Sequence, residues 1–296
     1  MSIALVIGGS GLLGRSLVRQ LRAEGDEVHW TYSSSKGSDE EGGLHLDIRI
    51  NDAVETVISS LRPDHVYLSA AMTNVDQCER SPTTAWEVNA VGTMNVAKAC
   101  SKTGAKLLYI STDYVFNGMK GSRYYEFDDP DPINIYGMTK LEGERCTLDA
   151  GRDNLVCRVS VLYGPDRPLK PDFVTWLVGE LGKGNRVRVF RDQYVSPTYA
   201  PHCASVMSRL MRSGKKGTYH TSGPDCMNRY EMALIVAEVF SLDPSLIEPI
   251  TMQEAGLIAR RPGSSCLNIE KVRAELDMEM MCFRDGVKDM RARRTA

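Results

Sequence analysis

The sequence predicts an α/β protein: a doubly wound parallel sheet followed by a smaller C-terminal lobe. Three observations carry that prediction. Strand and helix signals alternate through residue 163, a glycine-rich turn joins the first strand to the first helix, and the rhythm breaks where Pro165, Pro168 and Pro171 crowd together. Alternation of this kind pairs strands in parallel and covers both faces of the sheet with helices.

Residues 3–7 form a short apolar, β-branched run, as a buried strand does, and residues 12–22 repeat apolar side chains at helical spacing. Residues 27–32 alternate like a strand, and residues 44–47 make another short one. A helix over 53–61 is stopped by Arg62 and Pro63. The pattern continues with strands over 65–69, 106–110 and 155–161, a long helix over 85–101 and a further helix over 135–146. The break then divides the chain into residues 1–163 and residues 164–296, with some segments of the second part returning to the first. The basic end, with Arg291, Arg293 and Arg294, reads as a frayed, solvated terminus.

Composition narrows the function. The 296 residues are 42% apolar and 25% charged, as in an ordinary globular protein. Lys plus Arg number 36 and Asp plus Glu 38, a formal charge of −2, which leaves no bulk electrostatic footprint for nucleic acid or an anionic membrane. No apolar window approaches the ~18 residues of a membrane span, and residues 1–9 read as a strand rather than a signal segment. The eight cysteines are scattered and none form C-x-x-C, so they are expected to be free thiols in a reducing cytoplasm. The five histidines do not fall at metal-ligand spacing, so no metal is expected.

Gly8, Gly11 and Gly14 follow the first strand and open the first helix, with Ser10, Leu12 and Leu13 between them. Gly8 permits the tight turn, Gly11 lets backbone approach a pyrophosphate, and Gly14 lets helix pack closely on strand. A helix N-terminus there offers N–H groups and a positive dipole end to phosphates. The turn therefore predicts a Rossmann-type dinucleotide site. The stretch after the second strand contains Ser33, Ser34 and Lys36 but no acid for a ribose 2′-hydroxyl. With Arg15 after the turn, these groups favour the 2′-phosphate of NADPH, with NADH as the alternative. Asp47 and Ile48 end the third strand beside the expected adenine, where Asp47 either accepts from the adenine amino group or caps the next helix.

Tyr136 and Lys140 are four residues apart on a predicted helix, so both share one face. A phenol is a poor acid–base group at neutral pH, and a fixed ammonium beside it is expected to lower its pKa. Residues 111–116 (S-T-D-Y-V-F) close the fifth strand at its carboxyl end, where open α/β sheets bind ligands. There Thr112 or Ser111 offers a hydroxyl to a substrate carbonyl, and Asp113 is a candidate contact to substrate hydroxyls. Arg260 and Arg261 carry guanidinium forks suited to a diphosphate. Arg158 fits either a structural ion pair or a cofactor contact.

Taken with residues 69–73 (S-A-A-M-T), Asn89, residues 132–144, 158–164, 192–198 (D-Q-Y-V-S-P-T) and 261–267 (R-P-G-S-S-C-L), the chain resembles the extended short-chain dehydrogenase/reductases. Within them it is similar to the dTDP-4-dehydrorhamnose reductases. The resemblance spans nearly the whole chain. It implies a catalytic triad of Thr112, Tyr136 and Lys140, a cofactor-side turn at Ala70, Ala71 and Met72, and a substrate side that includes Thr73, Asp113, Val161 and Arg261. It further implies that the C-terminal part is mainly a substrate-binding lobe, and that the reaction is NADPH-dependent reduction of a nucleotide-linked 4-keto-6-deoxy sugar. Val195, Val161 and Ser264 stand where the family commonly has Gly, Trp, and Asn or Asp. These departures fall on the substrate side, so another nucleotide sugar, or an epimerase, is an alternative. So is an NADP-binding regulatory subunit of the methionine adenosyltransferase type, which shares much of the motif set. A homodimer is left open.

Overall fold

The computed structural model describes residues 2–33, 42–166 and 171–295. Its centre is a seven-stranded sheet. Six of the strands are β1 (Ile3–Ile7), β2 (Glu27–Tyr32), β3 (Leu44–His45), β4 (His65–Leu68), β5 (Lys106–Thr112) and β6 (Leu155–Val159), and the seventh is Gly217–His220. The order across the sheet is Gly217–His220, β6, β5, β4, β1, β2, β3, and every pair is parallel. The strand order reverses beside β1. Such a reversal leaves a crevice at the carboxyl ends of the strands, which is where open sheets bind ligands.

The sheet is apolar on both faces because both are covered. On one face Leu13, Leu17 and Leu21 of helix α1 (Leu12–Ala23) pack with Ala204, Met207 and Leu210 of the Ala200–Arg212 helix. On the other, Val54 and Ile58 of helix α2 (Asn51–Leu61) pack with Val96 and Cys100 of the Gly92–Thr103 helix. Three segments from the second half of the chain thus lie on the main sheet: the Ala200–Arg212 helix, the edge strand Gly217–His220, and the Glu270–Leu276 helix, whose Val272 and Leu276 join the same cluster. The remaining C-terminal elements gather round a separate apolar cluster that includes Leu177, Val189, Val236 and Phe283. Among the described residues no helix is long and apolar enough to cross a membrane.

Several expectations are corrected. The helix expected over 85–101 is a run of three segments: Pro82–Trp86, a π-helical turn Glu87–Val91, and Gly92–Thr103. The wider turn aims Asn89 at the backbone of Met72, whose N–H it accepts at 2.8 Å and whose carbonyl it donates to at 3.1 Å. The third strand stops at His45, because Asp47 folds back onto Arg49. Strand β6 stops at Val159 rather than 161, because Val161 has φ of 35°. The basic end is not frayed; it lies in the Phe283–Thr295 helix. Finally, Cys226 and Cys266 are joined in a disulfide rather than free, since the fold brings their Cα atoms to 5.5 Å across 40 residues of sequence.

Candidate active site

The glycine turn is built as its spacing requires. Gly8 has φ of +88°, and a Cβ there would lie 2.6 Å from the Ala70 nitrogen. A Cβ on Gly14 would lie 2.2 Å from the Gly8 carbonyl oxygen, so α1 can approach β1 only without a side chain at that position. Helix α1 starts at Gly11 with no side-chain cap, leaving its first N–H groups without a side-chain acceptor. Ser10, Gly11, Leu12 and Leu13 form one wall of a cavity of about 550 Å³.

Residues expected around the rest of a dinucleotide are distributed unevenly. Ala71 and Thr73 line the same cavity. Ala70 donates its N–H to Ile7, and Met72 is clamped by Asn89. Arg15 is buried, and its Nε donates to the Ser10 carbonyl at 3.0 Å, so that nitrogen braces the turn instead of reaching outward. Ser33 is exposed at the end of β2, while Ser34 and Lys36 lie outside the described residues. The Asp47 carboxylate is held by Arg49 at 2.9 and 3.1 Å, and that guanidinium keeps it below the usual carboxylate range. Asp47 is not a helix cap either: that position before α2 belongs to Ile50. Ile48 is buried, and its side chain fills the space over Gly92.

Thr112, Asp113, Tyr114 and Tyr136 line the same cavity as the turn. Thr112 closes β5; its Oγ1 accepts from the Tyr114 N–H at 3.2 Å and donates to Asp113 at 3.1 Å. Asp113 is itself buried and also accepts from Ser160 at 2.8 Å and Ser265 at 2.5 Å. Burial pushes its carboxyl up, against those hydrogen bonds. The expectation that Asp113 meets substrate hydroxyls is therefore modified: three hydroxyls of the protein already occupy it.

Tyr136 sits in the first turn of the Ile135–Ala150 helix, which Asn134 caps by accepting from the Gly137 N–H at 2.8 Å. Lys140 follows one turn later, buried, with Nζ donating to the Ile110 carbonyl at 2.6 Å and lying 4.0 Å from the centre of the Tyr109 ring. Burial lowers Lys140 to about 7, with the Glu144 charge opposing. Burial also raises the Tyr136 phenol above its ordinary value, against a hydrogen bond with Thr112. This reverses the expectation of a lowered phenol: the lysine is directed at a backbone carbonyl, and desolvation of the tyrosine dominates. A phenol that keeps its proton can act as an acid.

Arg261 reaches the cavity. It pairs with Asp76 at 3.0 Å, approaches the Tyr114 hydroxyl at 3.5 Å, and leaves its buried Nε without a partner. Arg260 is exposed and contributes its backbone carbonyl, which accepts from Asn134 at 2.9 Å. Arg158 forms the structural ion pair, two bonds of 2.9 and 2.7 Å to Glu144. Val161 lines the cavity in a backbone conformation that β-branched residues rarely adopt. Sequence reasoning missed Arg229. It opens the Arg229–Phe240 helix, points into the same cavity and stacks on Phe173 at 5.0 Å. The one signal for it was local: Asn228 and Glu231 form a capping box, which fixes where that helix begins.

The chain matches the family described as RmlD substrate binding domain over residues 1–295. It is 32% identical over 291 residues to a probable low-salt glycan biosynthesis reductase of Haloferax volcanii, covering 98% of this chain and 97% of that one. It is 35% identical over 278 residues to methionine adenosyltransferase 2 subunit beta of Xenopus tropicalis, covering 91% and 82%. Among solved structures, a dTDP-4-dehydrorhamnose reductase from Bacillus anthracis in complex with NADP superposes with a TM-score of 0.89 at 29% identity, covering 99% of both chains. The glycine turn, the strand-end threonine and the tyrosine–lysine helix therefore sit in a chain that belongs to the RmlD substrate-binding-domain family of extended short-chain dehydrogenase/reductases.

Proposed function

We propose that this chain is an NADPH-dependent reductase of a nucleotide-linked 4-keto-6-deoxy sugar, converting dTDP-4-dehydro-L-rhamnose to dTDP-L-rhamnose. One observation carries the reading. A single cavity is lined by the uncapped start of α1, by Thr112 and Tyr136, and by Arg229 and Arg261. The residues present fit a dinucleotide: a Cβ on Gly14 would fill its approach to Gly8, a Cβ on Gly8 would run into Ala70, and the helix start offers N–H donors to a diphosphate. They also fit a second diphosphate, on the nucleotide sugar, because the buried Arg261 Nε lacks an acceptor.

When bound, the nicotinamide supplies the electron pair for reduction. The chain's own residues do the rest. Thr112 holds the carbonyl oxygen, and Tyr136 gives that oxygen its proton as negative charge develops. Lys140 offers a cation one turn from the phenol to support the phenolate left behind. The 2′-phosphate is assigned to Ser33, Ser34 and Lys36, while Arg15 braces the glycine turn through its Nε, and the adenine is assigned to the ground beside Asp47 and Ile48. Thr73 and Val161 border the sugar.

The test is NADPH oxidation by purified protein with dTDP-4-dehydro-L-rhamnose, followed by product identification. Turnover to dTDP-L-rhamnose is expected. Tyr136→Phe is expected to remove turnover while NADPH affinity, measured by fluorescence titration, stays within about twofold, since the phenol contributes to the reacting oxygen and not to the phosphate cradle. Unchanged turnover in that variant would remove Tyr136 from the reaction. The second reading, a regulatory subunit, is favoured by the 35% identity to methionine adenosyltransferase 2 subunit beta. It requires NADPH binding without turnover and a stable complex with a synthetase on co-purification.

A further inference from the structure

Three consecutive residues at the end of β5 engage three successive turns of the Ile135–Ala150 helix. Thr112 meets Tyr136, the Ile110 carbonyl takes the Lys140 ammonium, and Ser111 donates to Glu144 at 2.5 Å. Tyr136, Lys140 and Glu144 are each four residues apart, so they form one stripe along the helix. Glu144 is as buried as Lys140 and is fixed from two further directions by the guanidinium of Arg158. That guanidinium is itself backed by His220 at 3.5 Å, whose other ring nitrogen lies 3.0 Å from the Asn268 carbonyl.

We infer that Glu144 is a positioning residue for the reduction: locked by Ser111 and Arg158, its carboxylate holds the buried Lys140 side chain in its charged form, ready to support the Tyr136 phenolate. The inference rests on the reductase reading above. A lysine stripped of water sheds its proton readily, and the loss is opposed by an opposite charge one helical turn away. Among the described residues, the groups facing Lys140 are few. They are Glu144 on its own helix, Cys78 from the Val75–Arg80 helix, and the Tyr109 ring and Ile110 carbonyl from β5. Of these, Glu144 is the only carboxylate. The Lys140 proton is held at about 7 with Glu144 in place, so its charge state is poised where a small electrostatic change matters.

The test reads Lys140 directly, without substrate. Lysine labelled at Cε and Nζ is titrated by NMR in the full chain, and the Lys140 resonance is assigned by its loss in Lys140→Met. In Glu144→Gln the midpoint is expected to fall by about one pH unit, and Glu144→Asp is expected to restore most of it. In turnover, the alkaline limb of kcat moves to lower pH by the same amount, giving about tenfold lower activity well above the midpoint and near-normal activity below it. Glu144→Gln leaves Arg158 with half its partner. If it does not fold, the double variant Glu144→Met with Arg158→Met removes both charges and keeps the volume apolar, a change buried pairs commonly tolerate. A smaller fall in the same direction is expected there, because the Arg158 cation leaves together with the carboxylate. A Lys140 midpoint unmoved in whichever of these variants folds overturns the inference and leaves Glu144 a structural partner of Arg158. Absence of turnover in the unmodified protein would instead fault the reductase reading, since the NMR titration does not depend on it.

Discussion

At Gly14 two effects of a single methyl group oppose each other. Gly14 lies inside α1, where replacing glycine by alanine ordinarily stabilises a helix by about 1 kcal/mol. Here the added Cβ would sit 2.2 Å from the Gly8 carbonyl oxygen and 2.8 Å from the Gly9 Cα, both backbone atoms that cannot swing aside. The clash outweighs the propensity. Gly14→Ala is expected to lower the melting temperature and to weaken NADPH binding at least tenfold by fluorescence titration, because α1 must lift off the turn that holds the phosphates. An alanine variant that melted higher and bound NADPH normally would show that the close approach is dispensable. Residues of this kind were legible in the sequence, since Gly8, Gly14, Thr112, Tyr136 and Lys140 each belong to a short local pattern. Arg229 was not, because it reaches the cavity from a helix far along the chain and no spacing ties it to the turn. The charge states were illegible as well: burial, which pushes Lys140 down and Tyr136 up, is a property of the assembled molecule.

The junction of β4 with the π-helical turn is decided at the level of the element. Residues 69–73 run as irregular backbone along the cavity, and such a segment must find partners for its polar groups. Asn89 supplies them, bonding both the N–H and the carbonyl of Met72 and also Thr139 at 3.1 Å on the Tyr136 helix. One side chain thus joins the segment after β4 to the helix that carries Tyr136 and Lys140. Asn89→Ala strands two backbone groups in a half-buried site and is expected to cost about 2 kcal/mol in urea unfolding. It should also weaken NADPH binding, since Ala70, Ala71 and Met72 are no longer held. A variant with unchanged urea midpoint would mean that water replaces the amide without loss. The sequence predicts helix across residues 87–91 correctly in a broad sense, yet nothing in its apolar spacing announces the wider turn. A π turn is stabilised by what its residue reaches, and that partner lies in a different element.

For the molecule as a whole, the question is what holds the C-terminal cluster to the sheet so that one cavity has two sides. Cys226 stands three residues before Arg229, and Cys266 directly follows Ser265, the donor to Asp113, five residues after Arg261. The Cys226–Cys266 bond therefore ties together the two segments that bring both guanidinium groups to the cavity, while the glycine turn belongs to the other end of the chain. Scattered cysteines gave no hint of this pairing, because the sequence records a separation of 40 residues but not the proximity that the fold creates. Closing a loop of that length is worth at most about 4 kcal/mol through the unfolded chain, and about 2 kcal/mol after losses to native strain. For a chain of this size, reduction by dithiothreitol, or Cys226→Ser, should lower the melting temperature by about 3 °C. The effect on binding should be lopsided: weaker affinity for the nucleotide sugar, whose diphosphate we assign to Arg229 and Arg261, and little change in affinity for NADPH. Equal melting with and without reductant would mean that the two thiols are not joined in solution. A parallel loss of NADPH affinity would mean that the bond braces the sheet as well as the second lobe. In a reducing compartment the pair would exist as thiols, and the looser cavity would be the working form.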